Sequence, residues 1–228
     1  MTTRVLILAA GEGSRWENYR GVQKHKLLIE GEVLVERIVR QFINYTDDVV
    51  VVGSDESYEV EGASCYIPPY HHKWKDMAKF WSTRLIWSEQ RTVLVFGDVY
   101  FTDEAVETIM KDEGEFTFFL RSKGSELTGK PWREIFAIAF NGSFTETLKA
   151  RVLEIIESDR ALRTGGWHLY KRLEHEYKNT FSVEIDDWTE DFDFPVDIEM
   201  DGRTLSQVLG ESNDRRGRGR LLVLDCCP

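Results

Sequence analysis

Cysteine is scarce in this chain, and its placement excludes as much as its number. Three cysteines stand among 228 residues, Cys65 alone and Cys226 and Cys227 adjacent near the end. An odd count at that spacing fits neither a disulfide framework nor a zinc site. Long apolar runs are missing too. Nothing approaches the ~18 consecutive apolar residues of a membrane span, and the apolar stretch near the amino terminus is shorter than a signal-peptide core. Positive charge is in deficit: 29 Lys and Arg against 40 Asp and Glu give a net charge of −11. That balance argues against a surface built to grip DNA or RNA. No internal repeat is present. The expectation is a soluble, unsecreted protein of the reducing cytoplasm, with neither membrane nor nucleic acid as a partner.

Familiar catalytic patterns are absent as well. No motif pairs Ser, His and Asp or Cys and His as a nucleophile system would require. The doublet His71-His72 reads as surface or loop, because neighbouring side chains on an extended segment diverge. A glycine turn follows the first apolar run, but Trp16 stands where a dinucleotide fingerprint needs its third glycine, and no Gly-Lys-Ser/Thr closes the turn as in a P-loop.

What is present begins with that first run. Val5 to Leu8 reads as a fully buried strand, followed by Ala9, Ala10, Gly11 and Gly13, which have almost no side-chain volume. Glycines just past a buried strand can aim consecutive N–H groups into one concavity that suits phosphate oxygens. Arg15 and Lys24 add the positive charge that a triphosphate needs. The residues LAAGEGSR (Leu8 to Arg15), then Lys24, then GEVLVER (Gly31 to Arg37) resemble the signature of the sugar-phosphate nucleotidyltransferase family, GT-A-like NTP transferases of pyrophosphorylase type. The resemblance implies nucleotide binding by Leu8, Ala9, Ala10, Gly11, Glu12, Gly13, Ser14, Arg15 and Lys24. The run from Lys24 to Gly31 keeps the family spacing without a gap, so Lys24 is the candidate phosphate lysine and Lys26 the fallback.

The rest of the chain reads as alternating strands and helices. Glu32 to about Tyr45 has helical apolar spacing, the four valines before Gly53 form a second buried strand, and Ser64 to Ile67 a weaker one. A helical stretch through HHKWKDMAKFWSTRLIW follows, in which Ser82 and Thr83 fall where relatives read the nucleobase. Thr92 to Phe96 is another buried strand, with Gly97 and Asp98 at its carboxyl end, and Thr102 to Glu104 cap a helix to about Lys111. Strands at EFTFFLRS and WREIFAIAF bracket a loop from Gly124 to Pro131. Ser143 and Glu146 have capping-box spacing for a helix to about Glu157, and Trp167 to Tyr177 gives one more helical pattern. This order predicts a three-layer α/β/α sandwich with a central, mostly parallel sheet, and the resemblance implies that it is a Rossmann-like nucleotidyltransferase fold. With 42% hydrophobic residues, one domain over 1–210 is expected. A polar, flexible tail over 211–228 follows, whose LLVLDCCP could be an edge strand, an oligomer contact or appended sequence.

Two acidic motifs complete the resemblance. Asp98 matches the aspartate of the family's G-D motif, which holds Mg²⁺. Seven acids lie between Asp186 and Glu199, where DFDFPVDIE resembles the family's second metal motif with Phe194 in place of its threonine. Asp193 is then the second metal ligand and Asp191 the alternative, since alternate residues of an extended segment share a side; Asp197 suits the first turn of a short helix. Lys130 and Glu134 flank a strand where relatives shape the acceptor pocket, and are the candidate substrate contacts. The implied reaction is Mg²⁺-dependent transfer of a nucleotidyl group from a nucleoside triphosphate to a sugar 1-phosphate, with Arg15, Lys24, Asp98 and Asp193 as the catalytic set. Seven tryptophans (Trp16, Trp74, Trp81, Trp87, Trp132, Trp167 and Trp188) leave room for an aromatic box around phosphocholine instead. A non-catalytic nucleotide-binding regulator is the remaining alternative. Base, acceptor and oligomeric state stay open, a homo-oligomer included.

Overall fold

The computed structural model describes residues 2–11, 15–16, 19–69, 80–125, 128–158, 165–174, 176–177, 181–195, 199–200 and 203–204. Glu12 to Ser14, His71 and His72, Trp74, Asp197 and the tail from 211 onward lie outside the described residues, as does most of the predicted helix before Phe80. The strands are β1 (Thr3–Leu8), β2 (Leu28–Ile29), β3 (Glu32–Val33), β4 (Val49–Val52), β5 (Ser64–Tyr66), β6 (Arg91–Phe96), β7 (Val99–Tyr100), β8 (Phe116–Arg121), β9 (Glu134–Asn141), β10 (Ser182–Glu184), β11 (Glu190–Asp191), β12 (Glu199–Met200) and β13 (Arg203–Thr204). The described helices are α1 (Leu34–Phe42), α2 (Asp103–Lys111), α3 (Thr145–Glu157) and α4 (Gly165–Glu174).

Seven strands form the central sheet in the order β10-β8-β9-β6-β1-β4-β5. All neighbours run parallel except β9, which is antiparallel to both β6 and β8. A loop between adjacent strands can only return antiparallel, whereas each parallel pair needs a crossover. The alternation of β1 shows why the valine-rich strands read as buried on both sides. Val5 and Ile7 enter one core with α1 and α2, while Leu6 enters the other with α3 and α4. Val93 and Val95 of β6 and Val49 and Val51 of β4 repeat the first pattern, and Leu94, Val50 and Val52 the second. Each such side chain removed from water contributes roughly 1.5–3 kcal/mol. The two cores are the two interfaces of a three-layer sandwich.

Three local expectations are corrected. The helix predicted from Glu32 begins at Leu34, because Glu32 and Val33 pair with Ile29 and Leu28 in a tight hairpin. The capping box at Ser143 does not form: its hydroxyl donates to Glu115, 2.9 Å away, and a short 3₁₀ turn precedes α3. The helix expected to Tyr177 ends at Glu174. The cap at Thr102 is as predicted, its hydroxyl accepting from the Ala105 amide at 3.0 Å.

Strand order places the site. From β1 the chain moves outward to β4 and β5, then returns to the opposite side of β1 to lay down β6. Ligands of open α/β sheets bind outside the carboxyl ends of strands at such a reversal. The glycine turn after β1 and the Gly97-Asp98 pair after β6 both emerge there, since Leu8 is in register with Phe96.

Candidate active site

The turn after β1 is sealed to its neighbours by backbone. The Gly97 amide donates to the Leu8 carbonyl at 3.0 Å and the Ala9 amide to the Val52 carbonyl at 2.9 Å. A Cβ at Gly97 would meet that Leu8 oxygen at 3.0 Å and the Ala9 Cβ at 3.1 Å, so only glycine lets the two strand ends close up this far. Asp98 is thereby fixed beside the start of the glycine turn. Ala9 and Ala10 are buried, Leu8 and Gly11 partly so.

Asp98 then meets the second acidic motif through a two-stranded ladder. β7 pairs antiparallel with β11, Val99 opposite Asp191 and Tyr100 opposite Glu190. One step further the Phe192 amide donates to the Asp98 carbonyl at 3.0 Å. With Phe192 fully buried, the next residue, Asp193, is delivered to the Asp98 side. Lys24 makes the convergence explicit: its ammonium donates to Asp98 Oδ2 and lies 3.7 Å from Asp193 Oδ1. Arg15, largely exposed, reaches Asp193 Oδ1 at 2.7 Å, with its guanidinium 5.3 Å from the centre of the Phe194 ring.

Electrostatics follow from this packing. Burial alone would raise the Asp98 carboxyl, but the Lys24 ammonium, with His25 nearby, holds it below the ordinary carboxylate range. Burial likewise works against a charged Lys24, and Asp98, then Asp193 and Asp191, overcome it and push the lysine up. Both partners therefore stay charged at neutral pH. Lys26 points elsewhere, its ammonium donating to Ser57 and lying 4.6 Å from the centre of the Tyr58 ring.

Asp191 has a different partner. Lys130 is buried, and its ammonium donates to Asp191 Oδ1 at 3.0 Å and to the Asp191 carbonyl at 2.8 Å. Glu134 stands at the head of β9. Burial first, then Asp191, pushes Glu134 up to about 8; burial first, then Asp193 and Asp98, raises Asp191 to about 7 despite Lys130. Ser82 is buried, its carbonyl accepting from the Tyr66 hydroxyl at 3.4 Å. Thr83 belongs to the core, its hydroxyl donating to the Phe80 carbonyl at 2.8 Å and accepting from the Trp87 indole at 2.9 Å.

Sequence reasoning missed the supports. Arg121 on β8 grips the fully buried Glu190 through both carboxylate oxygens at 3.0 and 3.1 Å and donates to the Thr189 carbonyl at 3.1 Å. Ser125 donates to the same carboxylate. Arg37 lies with its guanidinium 4.6 Å from the centre of the Tyr100 ring and donates to the Tyr100 hydroxyl at 3.3 Å, which pins β7 to α1. Only the lone basic residue in an apolar strand signals Arg121, since its partner is 69 positions away. Arg121→Met should lower stability by about 2–3 kcal/mol, because the buried Glu190 carboxylate would lose its two-pronged partner and keep only the Ser125 hydroxyl and the Lys130 ammonium at 3.9 Å. Replacing both partners by apolar residues should cost less; urea unfolding of the single and double variants measures the difference.

A MobA-like NTP transferase domain matches residues 5–125, just over half of the chain. The chain belongs to that family. This NTP transferase also shares its fold with solved structures of low sequence identity. The inositol-1-phosphate CTP transferase of T. maritima superposes with a TM-score of 0.65 at 14% identity, over 91% of this chain and 96% of that one. The CTP:phosphocholine cytidylyltransferase of Streptococcus pneumoniae gives 0.63 at 12%, over 86% and 96%. A Bacillus anthracis protein assigned as a glucose-1-phosphate thymidylyltransferase gives 0.57 at 14%, over 88% and 94%. No curated protein matches the chain. Among the described residues of the NTP transferase, no helix is long and apolar enough to cross a membrane.

Proposed function

We propose that this NTP transferase joins a nucleoside triphosphate to a sugar 1-phosphate, giving an NDP-sugar and pyrophosphate, with Mg²⁺ held by Asp98 and Asp193. The observation that carries the reading is the single ammonium of Lys24 shared by two carboxylates 95 positions apart in sequence, at the mouth of the glycine turn. A position between two carboxylates that accepts one cation has the hard oxygen donors that Mg²⁺ takes, usually one or two carboxylates with phosphate and water completing the shell. Bound there, the ion would supply charge neutralisation at the reacting phosphate.

The residues of the chain supply the rest. An acceptor phosphate monoester has a second pKa near ~6 and is already largely dianionic at neutral pH, so no protein base is needed. What must be done is to bring two polyanions together in line and to receive the charge that develops on the departing pyrophosphate. Lys24 and Arg15, both at Asp193, are the cations assigned to this charge; Ala9, Ala10, Gly11 and Gly13 provide the small-volume approach for the triphosphate. Lys130 and Glu134 lie on the Asp191 side, where an acceptor would enter. In a panel of four nucleoside triphosphates against sugar 1-phosphates and phosphocholine, one pair should release pyrophosphate with Mg²⁺ and none without a divalent cation. Release from no pair would remove this reading.

A phosphocholine acceptor is the second reading, and Trp132 favours it. This side chain is 46% exposed, two residues before Glu134, and so offers an open aromatic face. A quaternary ammonium binds such faces. Trp16 and Trp87 are buried in the two cores and offer no face to a ligand. Turnover of phosphocholine in preference to every sugar phosphate in the same panel would select it.

A further inference from the structure

The turn that carries Lys24 is clamped from outside the site. Residues Lys24–Lys26 form one turn of 3₁₀ helix, closed by the Lys26 amide on the Gln23 carbonyl at 2.9 Å and the Leu27 amide on the Lys24 carbonyl at 3.2 Å. At three residues per turn, Gln23 and Lys26 share a face, and Lys24 stands about 120° away from them. That shared face is taken by a second short turn, Glu56–Tyr58, after β4. The Tyr58 hydroxyl donates to Gln23 Oε1, Lys26 donates to Ser57 and lies over the Tyr58 ring, and His25 Nδ1 is 3.1 Å from the Tyr58 oxygen. Three of four consecutive side chains thus grip Tyr58 and its neighbour. The remaining one, Lys24, is directed at Asp98 and Asp193.

Two details show that the clamp is built to a tolerance. A Cβ at Gly53 would fall 2.5 Å from the Tyr58 Cβ and 2.8 Å from its Cγ, so the strand end must be glycine for Tyr58 to lie where it does. His25, buried, spans the distance from Tyr58 to the glycine turn, its ring 3.7 Å from where a Cβ of Gly11 would sit. Burial keeps the Tyr58 phenol protonated, raised to about 12, so its hydroxyl remains a donor across the working pH range.

We infer that Tyr58 is a positioning residue: its hydroxyl, through Gln23 and His25, sets the turn that holds Lys24 against the phosphate-binding side of the site. The inference rests on Lys24 being the phosphate lysine, and the experiment separates failure of the one from failure of the other. The probe is inorganic pyrophosphate, which every nucleoside triphosphate releases, so the base need not be known. Its affinity is measured by calorimetry on the full chain and on Tyr58→Phe, Lys24→Ala and the double variant.

Tyr58→Phe keeps the ring and its packing but loses the hydroxyl, and should weaken pyrophosphate binding about fivefold, the equivalent of one ordinary hydrogen bond. Lys24→Ala should weaken it by about tenfold or more. The double variant should match Lys24→Ala, because a residue that acts through Lys24 has nothing to act on once it is gone. A purely structural role predicts instead that the fivefold loss persists in the Lys24→Ala background, and that result overturns the inference, as does unchanged binding by Tyr58→Phe. Wild-type binding by Lys24→Ala would overturn the phosphate-lysine reading beneath it. Gln23→Ala, at an exposed position, should act in the same direction and carries the same test if Tyr58→Phe proves unstable.

Discussion

Asp98→Asn should lower turnover about 10³-fold while leaving the thermal unfolding midpoint within a few degrees of wild type. The substitution preserves shape and removes one negative charge from the position where Asp98 and Asp193 share a cation. Its backbone role is untouched: the Asp98 carbonyl still accepts from Phe192, and Gly97 still closes on Leu8. Lys24 keeps a carboxylate neighbour in Asp193 at 3.7 Å, so no cation is stranded. The ground-state prediction runs the other way. Without added divalent cation, pyrophosphate should bind Asp98→Asn at least as tightly as wild type, since a repelling charge is gone and Lys24 is released from its strongest partner. A turnover loss with preserved or improved anion binding marks a group needed for the reaction rather than for the pocket. Turnover within about tenfold of wild type would mean that Asp98 is not a reacting-site acid.

The fold was legible because its signals are local. The Val-rich strands β1, β4 and β6 are buried on both faces, so each reads as a continuous apolar run, and Thr102 with two acids announces α2. The errors fell where tertiary contacts decide. Glu32 and Val33 have helical spacing but pair with β2, and the Ser143 hydroxyl prefers Glu115, 28 positions away, to its own helix. The site shows the same division. Asp98 and the acidic segment could be found as motifs, and spacing already favoured Lys24 over Lys26, whereas the contacts with Ser57 and Tyr58 that turn Lys26 away come from another part of the chain. Asp191 and Asp193 share one side of an ideal strand, yet Lys130 holds the first while Arg15 and Lys24 face the second. The buried Arg121–Glu190 pair that braces the segment joins residues that no spacing rule connects.

Lys24→Ala should lower turnover by about 10²–10³-fold, and its effect on stability should depend on pH in a way that identifies the pair. In the wild-type protein the Asp98 carboxyl is held below its ordinary value, so it contributes stability that is complete above the ordinary carboxylate range and lost as pH falls through the lowered value. Lys24, raised by the same contact, contributes stability present below the ordinary lysine range and lost as pH climbs through its raised value. Removing the ammonium leaves Asp98 partly buried near Asp193 and Asp191, where burial and like charge both favour protonation. Its stabilising sign then reverses, and the variant loses stability as pH rises from about 4. Wild type and variant should therefore converge as pH falls below the ordinary carboxylate range and separate by about 2 kcal/mol at pH 7, less than for a fully interior pair because Arg15 still neutralises Asp193. Urea unfolding across that range measures the gap. A difference that does not change with pH would mean that Lys24 stabilises the protein by packing alone, and that the charge shared between the two acids is not what holds this site together.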